Sequence, residues 1–120
     1  MQILLDTHIL LWALTDDAAL SAEARAVLRD ERNALWVSVV SIWEISIKHS
    51  LQRGHMPVSG KDVLGYCREA GYRWLDISPE HAAAVEDLLP IHANPFDRLL
   101  VAQALTEPMK LLTHPRRLTS

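Results

Sequence analysis

The chain opens with a short apolar run that ends at an acidic residue, and a helical pattern begins directly after it. Residues 2–5 have the length and composition of a buried strand, and Asp6 closes this run. From residue 7 to residue 14, apolar side chains recur at helical spacing. This junction indicates a strand that passes straight into a helix, with a carboxylate at the point where the two meet.

Strands and helices alternate along the rest of the chain. Further apolar runs predict strands at residues 34–37, 72–77 and 110–113. Helical spacing predicts helices at residues 7–14, from 21 onwards, within 38–51, and at 61–70, 78–89 and 94–106. The last two begin with the same signal, a capping residue followed by a first-turn proline, at Ser78-Pro79 and Asn94-Pro95. Such alternation is typical of a parallel sheet with helices on both faces. We therefore expect one α/β domain over residues 1–120, long enough for a single core.

The net charge of the chain excludes few classes of function. The formal net charge is -3, so no global basic field attracts nucleic acid, although a local basic rim can still face such a substrate. Candidates for a rim are Lys48, His49 and Arg53, and separately Arg116 with Arg117. Both groups have the alternative interpretation of ordinary solvated surface.

The sequence also bears on where the protein works. Cys67 is the only cysteine, which excludes an internal disulfide, and we interpret it as a small buried hydrophobe. The N-terminus lacks a basic segment followed by a long apolar one, so no signal peptide is expected. No apolar run approaches the ~20 residues that a membrane-spanning helix needs. We expect a cytoplasmic protein without a membrane segment.

Three acids stand at comparable strand-to-helix junctions. They are Asp6, Glu44 in the helix after the second strand, and Asp97 in the first turn of the helix after Pro95. In an open parallel sheet, ligands bind beyond the carboxyl ends of the strands. Three carboxylates gathered there would repel each other unless a cation were present, and hard divalent cations such as Mg²⁺ take oxygen ligands. The pattern therefore indicates a metal-dependent enzyme if the three side chains meet.

Each acid also has a structural interpretation, and the residues alone leave both open. Asp6 fits an N-cap, and Asp97 fits an acid stabilised by a helix dipole. Glu44 fits either the capping-box partner of Ser41 or an ion pair with Lys48 one turn later. The sequence contains no glycine-rich phosphate loop, and no histidine pair has zinc-site spacing with cysteine partners. No rival chemistry is better supported.

Four segments in order resemble the PIN-domain proteins, and within them the VapC-type toxins of bacterial toxin–antitoxin pairs. These are LLDTH at residues 4–8, SIWEI at 41–45 with Lys48 after it, PFDRLL at 95–100 and LLT at 111–113. The resemblance implies a three-layer α/β/α sandwich around a short, mainly parallel four-stranded sheet. It also implies cleavage of RNA with Mg²⁺ or Mn²⁺, and it places the family's acidic positions on Asp6, Glu44 and Asp97.

The chain departs from the family pattern near its end. The family usually has a fourth acid two residues after the threonine or serine that ends the fourth strand. Counting from Thr113, that position is Pro115. Relatives also usually continue into another short helix and an edge strand after this point, whereas only seven residues follow Thr113 in this sequence. The fourth ligand is then missing or replaced by a group such as Thr113 acting through water, and an incomplete chain is another explanation.

The resemblance further implies an RNA substrate, a homodimer and a cognate antitoxin whose tail covers the active site. Side chains expected to contact substrate are Thr7, Lys48, Arg98 and Thr113. An apolar groove for the antitoxin would contain Trp12, Trp43 and Met56, with core packing as the alternative for Trp43. Two functions follow: a metal-dependent endoribonuclease toxin, or a catalytically impaired PIN-like module that dimerises and binds an antitoxin-like partner or RNA. A phosphatase-like hydrolase with Asp6 as nucleophile is disfavoured, because His8 stands where its second acid would be.

Overall fold

The computed structural model of the protein describes residues 1–51, 56–88 and 94–113. Ten helices and strands follow each other in these ranges: β1 Gln2–Leu5, α1 Thr7–Thr15, α2 Ala22–Arg29, β2 Ala34–Ser38, α3 Val39–Ser50, α4 Gly60–Ala70, β3 Arg73–Leu75, α5 Pro79–Ala84, α6 Pro95–Thr106 and β4 Lys110–Leu112. A short 3-10 turn, Val85–Asp87, continues α5. The predicted alternation of strands and helices is confirmed.

The four strands form one sheet in the order β3-β2-β1-β4, and every neighbouring pair is parallel. In the central strand β1, Leu5 is in register with Val37 of β2 and with Leu112 of β4. Parallel strands have their carboxyl ends at the same edge of the sheet. Asp6 and Thr113, which follow β1 and β4 directly, therefore lie at one edge together with the start of α3.

Helices cover both faces of this sheet, which confirms the expected three layers. Successive residues of β1 alternate between the faces: Ile3 and Leu5 belong to one buried cluster, and Leu4 belongs to the other. The first cluster contains residues of α1, α2, α3 and α4. The second contains residues of α6 together with Leu75 of β3. No described helix is long and apolar enough to cross a membrane.

Side-chain caps set the points where the helices begin. Asp6 caps α1, Ser78 and Asn94 cap the two helices that start with proline, and Ser38 caps α3. The capping box between Ser41 and Glu44 is wrong. The chain turns into α3 directly after β2, so Ser38 takes the capping position and accepts a hydrogen bond of 3.0 Å from the Val40 amide.

Three of the predicted elements differ in length from those observed: two are shorter than predicted, and one is longer by a residue. β3 spans only three residues because it is an edge strand that pairs with β2 alone over Trp36–Ser38. The α-helical part of α5 ends at Ala84, well before the predicted residue 89. Gly60 begins α4 one residue early, and a Cβ atom there would lie 1.7 Å from Oγ of Ser46, so glycine permits close contact with α3.

The single cysteine is buried, as expected. Cys67 lies in α4 within the first cluster, and burial raises the pKa of its thiol to about 11. A protonated, buried thiol acts as a small hydrophobe. Of the candidate basic residues, Arg53, Arg116 and Arg117 lie outside the described ranges, and so does Pro115.

Candidate metal centre

Asp6 is both a helix cap and a buried carboxylate. It is 1% exposed at the end of β1. Its Oδ1 accepts a hydrogen bond of 2.8 Å from the Ile9 amide, and its Oδ2 accepts one of 2.6 Å from the hydroxyl of Thr113. Each carboxylate oxygen can accept a second interaction. The capping role is therefore confirmed and leaves capacity for a cation.

Glu44 is the most buried acid at this edge of the sheet. It lies in the second turn of α3 and has no exposed surface. Its Oε2 accepts a hydrogen bond of 2.6 Å from Nζ of Lys48, which confirms the predicted pair one turn later. Its other oxygen, Oε1, is buried and has no hydrogen-bond partner in the part of the chain that the structure describes. A buried acceptor without a donor is costly and suits a cation or water.

The surroundings of Glu44 favour its charged form. Burial is the largest single influence and acts to raise the pKa of Glu44. The hydrogen bond and the charge of Lys48, together with smaller influences of the Thr7 and Asn94 side chains, act in the opposite direction, and the pKa falls below its ordinary value. Glu44 is thus a buried carboxylate at neutral pH, which is the form that binds a cation.

Asp97 occupies the first turn of α6 and is 8% exposed. The helix begins after Asn94, whose Oδ1 accepts a hydrogen bond of 2.8 Å from the Phe96 amide. The helix dipole stabilises a negative charge at this position. The structural interpretation of Asp97 is therefore sound, and it is compatible with a second role as a ligand.

Short contacts connect the three acids. Thr7, the neighbour of Asp6, donates a hydrogen bond of 3.0 Å from its hydroxyl to Oγ of Ser41, one turn before Glu44. Glu44 in turn lies close enough to Thr7 and Asn94 for both to lower its pKa. Asn94 stands at the start of the helix turn that contains Asp97. The first turns of α1 and α6 and the second turn of α3 therefore meet at one edge of the sheet.

The acids do not form a preformed cage. Within the described ranges, no three histidine, cysteine, aspartate or glutamate side chains are grouped closely enough to hold a metal ion by themselves. Mg²⁺ commonly takes only one or two carboxylates directly and keeps several waters. An all-oxygen donor set with the unsatisfied Oε1 of Glu44 therefore fits a partly hydrated Mg²⁺ or Mn²⁺ ion.

The expected substrate-contacting side chains lie around these acids. Thr7 and Thr113 are part of the hydrogen-bonded network just described. Lys48 is paired with Glu44, and its side chain is 30% exposed. Arg98 follows Asp97, and its Nη2 donates a hydrogen bond of 3.1 Å to the Val85 carbonyl oxygen. Lys48 therefore stands beside Glu44, and Arg98 adjoins Asp97 in sequence with its guanidinium at the turn after α5.

The three residues of the expected antitoxin groove lie in two places. Trp12 and Met56 are half-buried and pack against the first cluster. Trp43 is 50% exposed, and its ring meets that of Phe96 at 4.9 Å. Trp12 and Met56 therefore pack against the core, whereas half of the Trp43 side chain is exposed to solvent. A groove that contains all three stays a prediction.

Sequence reasoning missed two polar side chains at the site. Ser41 is buried and accepts the Thr7 hydroxyl, and Asn94 influences the charge of Glu44 in addition to capping α6. In the sequence, Ser41 fits a helix cap, and the Asn-Pro signal explains Asn94 completely. Ser41 gains its second role from the contact between α1 and α3, and Asn94 gains its own from the contact between α3 and α6.

Comparison with known proteins identifies the family. The PIN domain family model matches residues 3–119. The chain belongs to the PIN domain family. PIN domains are generally nucleases, so the acids lie in a fold associated with hydrolysis of nucleic acids. No match was found among proteins with curated descriptions.

Two solved structures share this PIN fold. One is VapBC2 from Rickettsia felis, bound to a DNA fragment from the VapBC2 promoter. Its TM-score is 0.66 and its sequence identity 17%, and the match covers 94% of this chain and 87% of that chain. The other is a toxin–antitoxin complex from Klebsiella pneumoniae, with a TM-score of 0.62 and 16% identity, covering 98% of this chain and 91% of that chain. At these identities the likeness shows the fold.

Proposed function

We propose that this PIN-domain protein is a metal-dependent endoribonuclease toxin that a cognate antitoxin neutralises. The observation that carries the proposal is Glu44, a fully buried carboxylate with an unsatisfied oxygen, close to Thr7 beside Asp6 and to Asn94 beside Asp97. A purely structural glutamate would have both oxygens satisfied. The family supports hydrolysis of nucleic acid, and RNA as the substrate is our inference from the resemblance to VapC-type toxins.

Asp6, Glu44 and Asp97 would hold Mg²⁺ or Mn²⁺, in part through water. Such an ion supplies charge that lowers the pKa of a bound water and stabilises a phosphodiester under attack. Neighbouring side chains and backbone groups of the chain orient these acids and add positive charge near them. Thr113 and the start of α1 fix Asp6, while Lys48 and Arg98 provide positive charge that can orient a phosphate. In this proposal Thr113 also takes over, through water, what the family's fourth acid supplies, because Pro115 cannot ligate.

The partners belong to the same proposal. Both similar structures are described as a VapBC or a toxin–antitoxin complex, which supports an antitoxin for this chain as well. We propose that the antitoxin tail crosses the site near Trp12, Trp43 and Met56, and that the toxin forms a homodimer. The work would take place in the cytoplasm.

Cleavage of RNA in the presence and absence of EDTA tests the function. Wild-type protein with Mg²⁺ or Mn²⁺ should cut RNA, and EDTA should stop it. Asp6→Asn and Asp97→Asn should lose cleavage while remaining folded. Asparagine replaces Asp6 as a cap with little loss, and the loss of a dipole-stabilised charge at Asp97 costs only about 0.3–1 kcal/mol. Cleavage by both variants at the wild-type rate would contradict the proposal.

A second function is favoured by the missing cage. No three acidic or other metal-ligating side chains stand ready within the described ranges, and Lys48 already neutralises part of the Glu44 charge. A catalytically impaired module that dimerises and binds an antitoxin-like partner or RNA would have these properties. Titration with Mn²⁺ by calorimetry separates the two functions, because the impaired module should show no saturable binding at millimolar metal.

A further inference from the structure

Trp43 directly precedes Glu44 in α3, and apart from the proposed antitoxin contact it has no role in the mechanism described above. Its large, mainly apolar indole is 50% exposed. Its ring meets Phe96 on α6 at a centroid distance of 4.9 Å and an interplanar angle of 82°. Such an edge-to-face contact holds an indole in a fixed orientation. The Trp43 indole is therefore an aromatic surface open to solvent, and the half-buried Phe96 ring supports it.

The sequence positions of the pair tie it to the acids. Trp43 directly precedes Glu44, and Phe96 directly precedes Asp97. Asn94, whose Oδ1 caps the Phe96 amide, also lowers the pKa of Glu44. The Trp43–Phe96 contact therefore joins the turn of α3 that contains Glu44 to the turn of α6 that contains Asp97.

A nuclease with this charge distribution gains from affinity that does not depend on phosphate contacts alone. The formal net charge is -3, so no global positive field attracts a phosphate backbone. The side chains of Lys48 and Arg98 already contact protein oxygens. Stacking of an unpaired base on an aromatic ring requires no positive charge and accepts any base, because every base has a flat π-face.

We propose that Trp43, held by Phe96, is a stacking subsite for an unpaired nucleobase next to the phosphodiester at the metal centre. The proposal rests on the endoribonuclease function and adds to it one side chain that binds a base. Bases in a duplex are stacked on their neighbours and cannot reach such a surface without unpairing. The subsite therefore selects against double-stranded RNA.

Binding of short fluorescein-labelled RNA, measured by fluorescence anisotropy with Mg²⁺, tests the subsite without relying on activity. All variants carry Asp6→Asn, which prevents cleavage and keeps the helix cap. Trp43→Leu removes the aromatic face, and Trp43→Phe retains one. Trp36→Leu is the matched control, because the Trp36 indole donates a hydrogen bond of 2.6 Å to Gln2, at the first residue of β1, away from the acids. Thermal unfolding verifies that each variant is folded.

We expect Trp43→Leu to weaken binding of single-stranded RNA roughly 5- to 150-fold, the range measured for removal of one stacking ring. Trp43→Phe should stay within about threefold of the reference because a stacking face remains. Trp36→Leu should not change the affinity, and the same RNA in a duplex should bind equally to all variants. An RNA with one abasic site at the stacked position should lose its sensitivity to Trp43→Leu.

Two results would overturn the subsite. Unchanged affinity of Trp43→Leu for single-stranded RNA would assign the aromatic surface to a protein partner instead. An equal loss on single-stranded and duplex RNA would show that the ring contacts no unpaired base.

Cleavage by the wild-type protein is scored separately from binding, so that the subsite and the endoribonuclease function can fail independently. If the wild-type protein binds RNA through Trp43 but never cuts it, the endoribonuclease function fails and the subsite stands. If it cuts RNA and neither binding nor cleavage depends on Trp43, the endoribonuclease function stands and the subsite fails.

Discussion

The hydroxyl of Thr113 donates a hydrogen bond of 2.6 Å to Oδ2 of Asp6, and this contact joins the end of β4 to the end of β1. The two residues are far apart in sequence but follow neighbouring strands of the sheet. Since the Asp6 carboxylate also caps α1, Thr113 helps to fix one acid of the candidate centre in place. The short polar residue after β4 therefore has a role that its own segment does not reveal.

Replacement of Thr113 by valine tests this contact. Thr113→Val keeps the shape and removes the donor, so the free energy of unfolding should fall by roughly 1.5–3 kcal/mol, the value of a hydrogen bond to a charged group. Urea unfolding in EDTA measures this loss. Thr106→Val, at an exposed threonine that ends α6, is the control and should change stability by less than about 0.5 kcal/mol. Equal effects of the two substitutions would contradict the assigned role.

The pair of Glu44 with Lys48 gives a second prediction. Lys48→Met leaves a buried carboxylate without its counter-charge, which costs about 3–5 kcal/mol in a fully buried pair. Because the Lys48 side chain is 30% exposed, solvent reduces this cost, and we expect roughly 1–3 kcal/mol in urea unfolding with EDTA. Lys61→Met, at an exposed lysine of α4, is the control and should have little effect.

Saturating Mn²⁺ and a second substitution make the same experiment sharper. A cation bound at Glu44 replaces the lost charge, so Mn²⁺ should restore most of the stability of Lys48→Met. Adding Glu44→Gln should also recover part of it, since the neutral amide needs no counter-charge. If Lys48→Met is as stable as wild type in EDTA, the ion pair does not hold Glu44 in the metal-free protein.

The pKa of Glu44 predicts how stability depends on pH. Burial opposes its charge, but Lys48, Thr7 and Asn94 together hold its folded-state pKa below the ordinary value of 4.5. The unfolded chain therefore binds this proton more readily than the folded protein does. The stability contributed by Glu44 is complete above pH 4.5 and is lost as the pH falls through the lower folded-state pKa.

Urea unfolding in EDTA at a series of pH values from neutrality into the acid range measures this contribution. Glu44→Gln should flatten the loss of stability on the acid side, because glutamine does not titrate. The comparison uses the slopes with pH, since the substitution also removes the ion pair. Parallel slopes for the two proteins would show that Glu44 is not the group responsible.

Much of the fold follows from local pattern. Apolar runs and helix-start signals predict all four strands, and the caps at Asp6, Ser78 and Asn94 are correct because capping depends on only a few successive residues. The capping box at Ser41 failed for a different reason. The strand extends through Ser38, and a strand's last residue depends on its neighbour in the sheet, which the sequence does not specify.

The sequence indicates the three acids of the candidate site, but it does not indicate the side-chain contacts between the helices that hold them. Asp6, Glu44 and Asp97 stand out because each lies at or near the start of a predicted helix. The hydrogen bond from Thr7 to Ser41 and the exposure of Trp43 depend on how α1, α3 and α6 meet. Side chains from three separate segments decide these contacts, and no single segment contains the information.

A buried network on Gln103 of α6 shows the same dependence and gives a last prediction. Gln103 has no exposed surface; its Oε1 accepts a hydrogen bond of 2.6 Å from the Ser38 hydroxyl, and its Nε2 donates one of 3.2 Å to the Asp76 carbonyl oxygen. It thereby joins the ends of β2 and β3.

The substitution Gln103→Leu would leave the Ser38 hydroxyl and the Asp76 carbonyl oxygen without this partner. We expect the free energy of unfolding to fall by roughly 2–4 kcal/mol, because each buried unsatisfied group costs about 1–3 kcal/mol. Gln2→Leu, the same substitution at an exposed glutamine that accepts the Trp36 N–H, should cost less than about 1 kcal/mol in the same urea unfolding series. Equal costs at the two positions would mean that water replaces the Gln103 amide, and that α6 is not held to the sheet through this side chain.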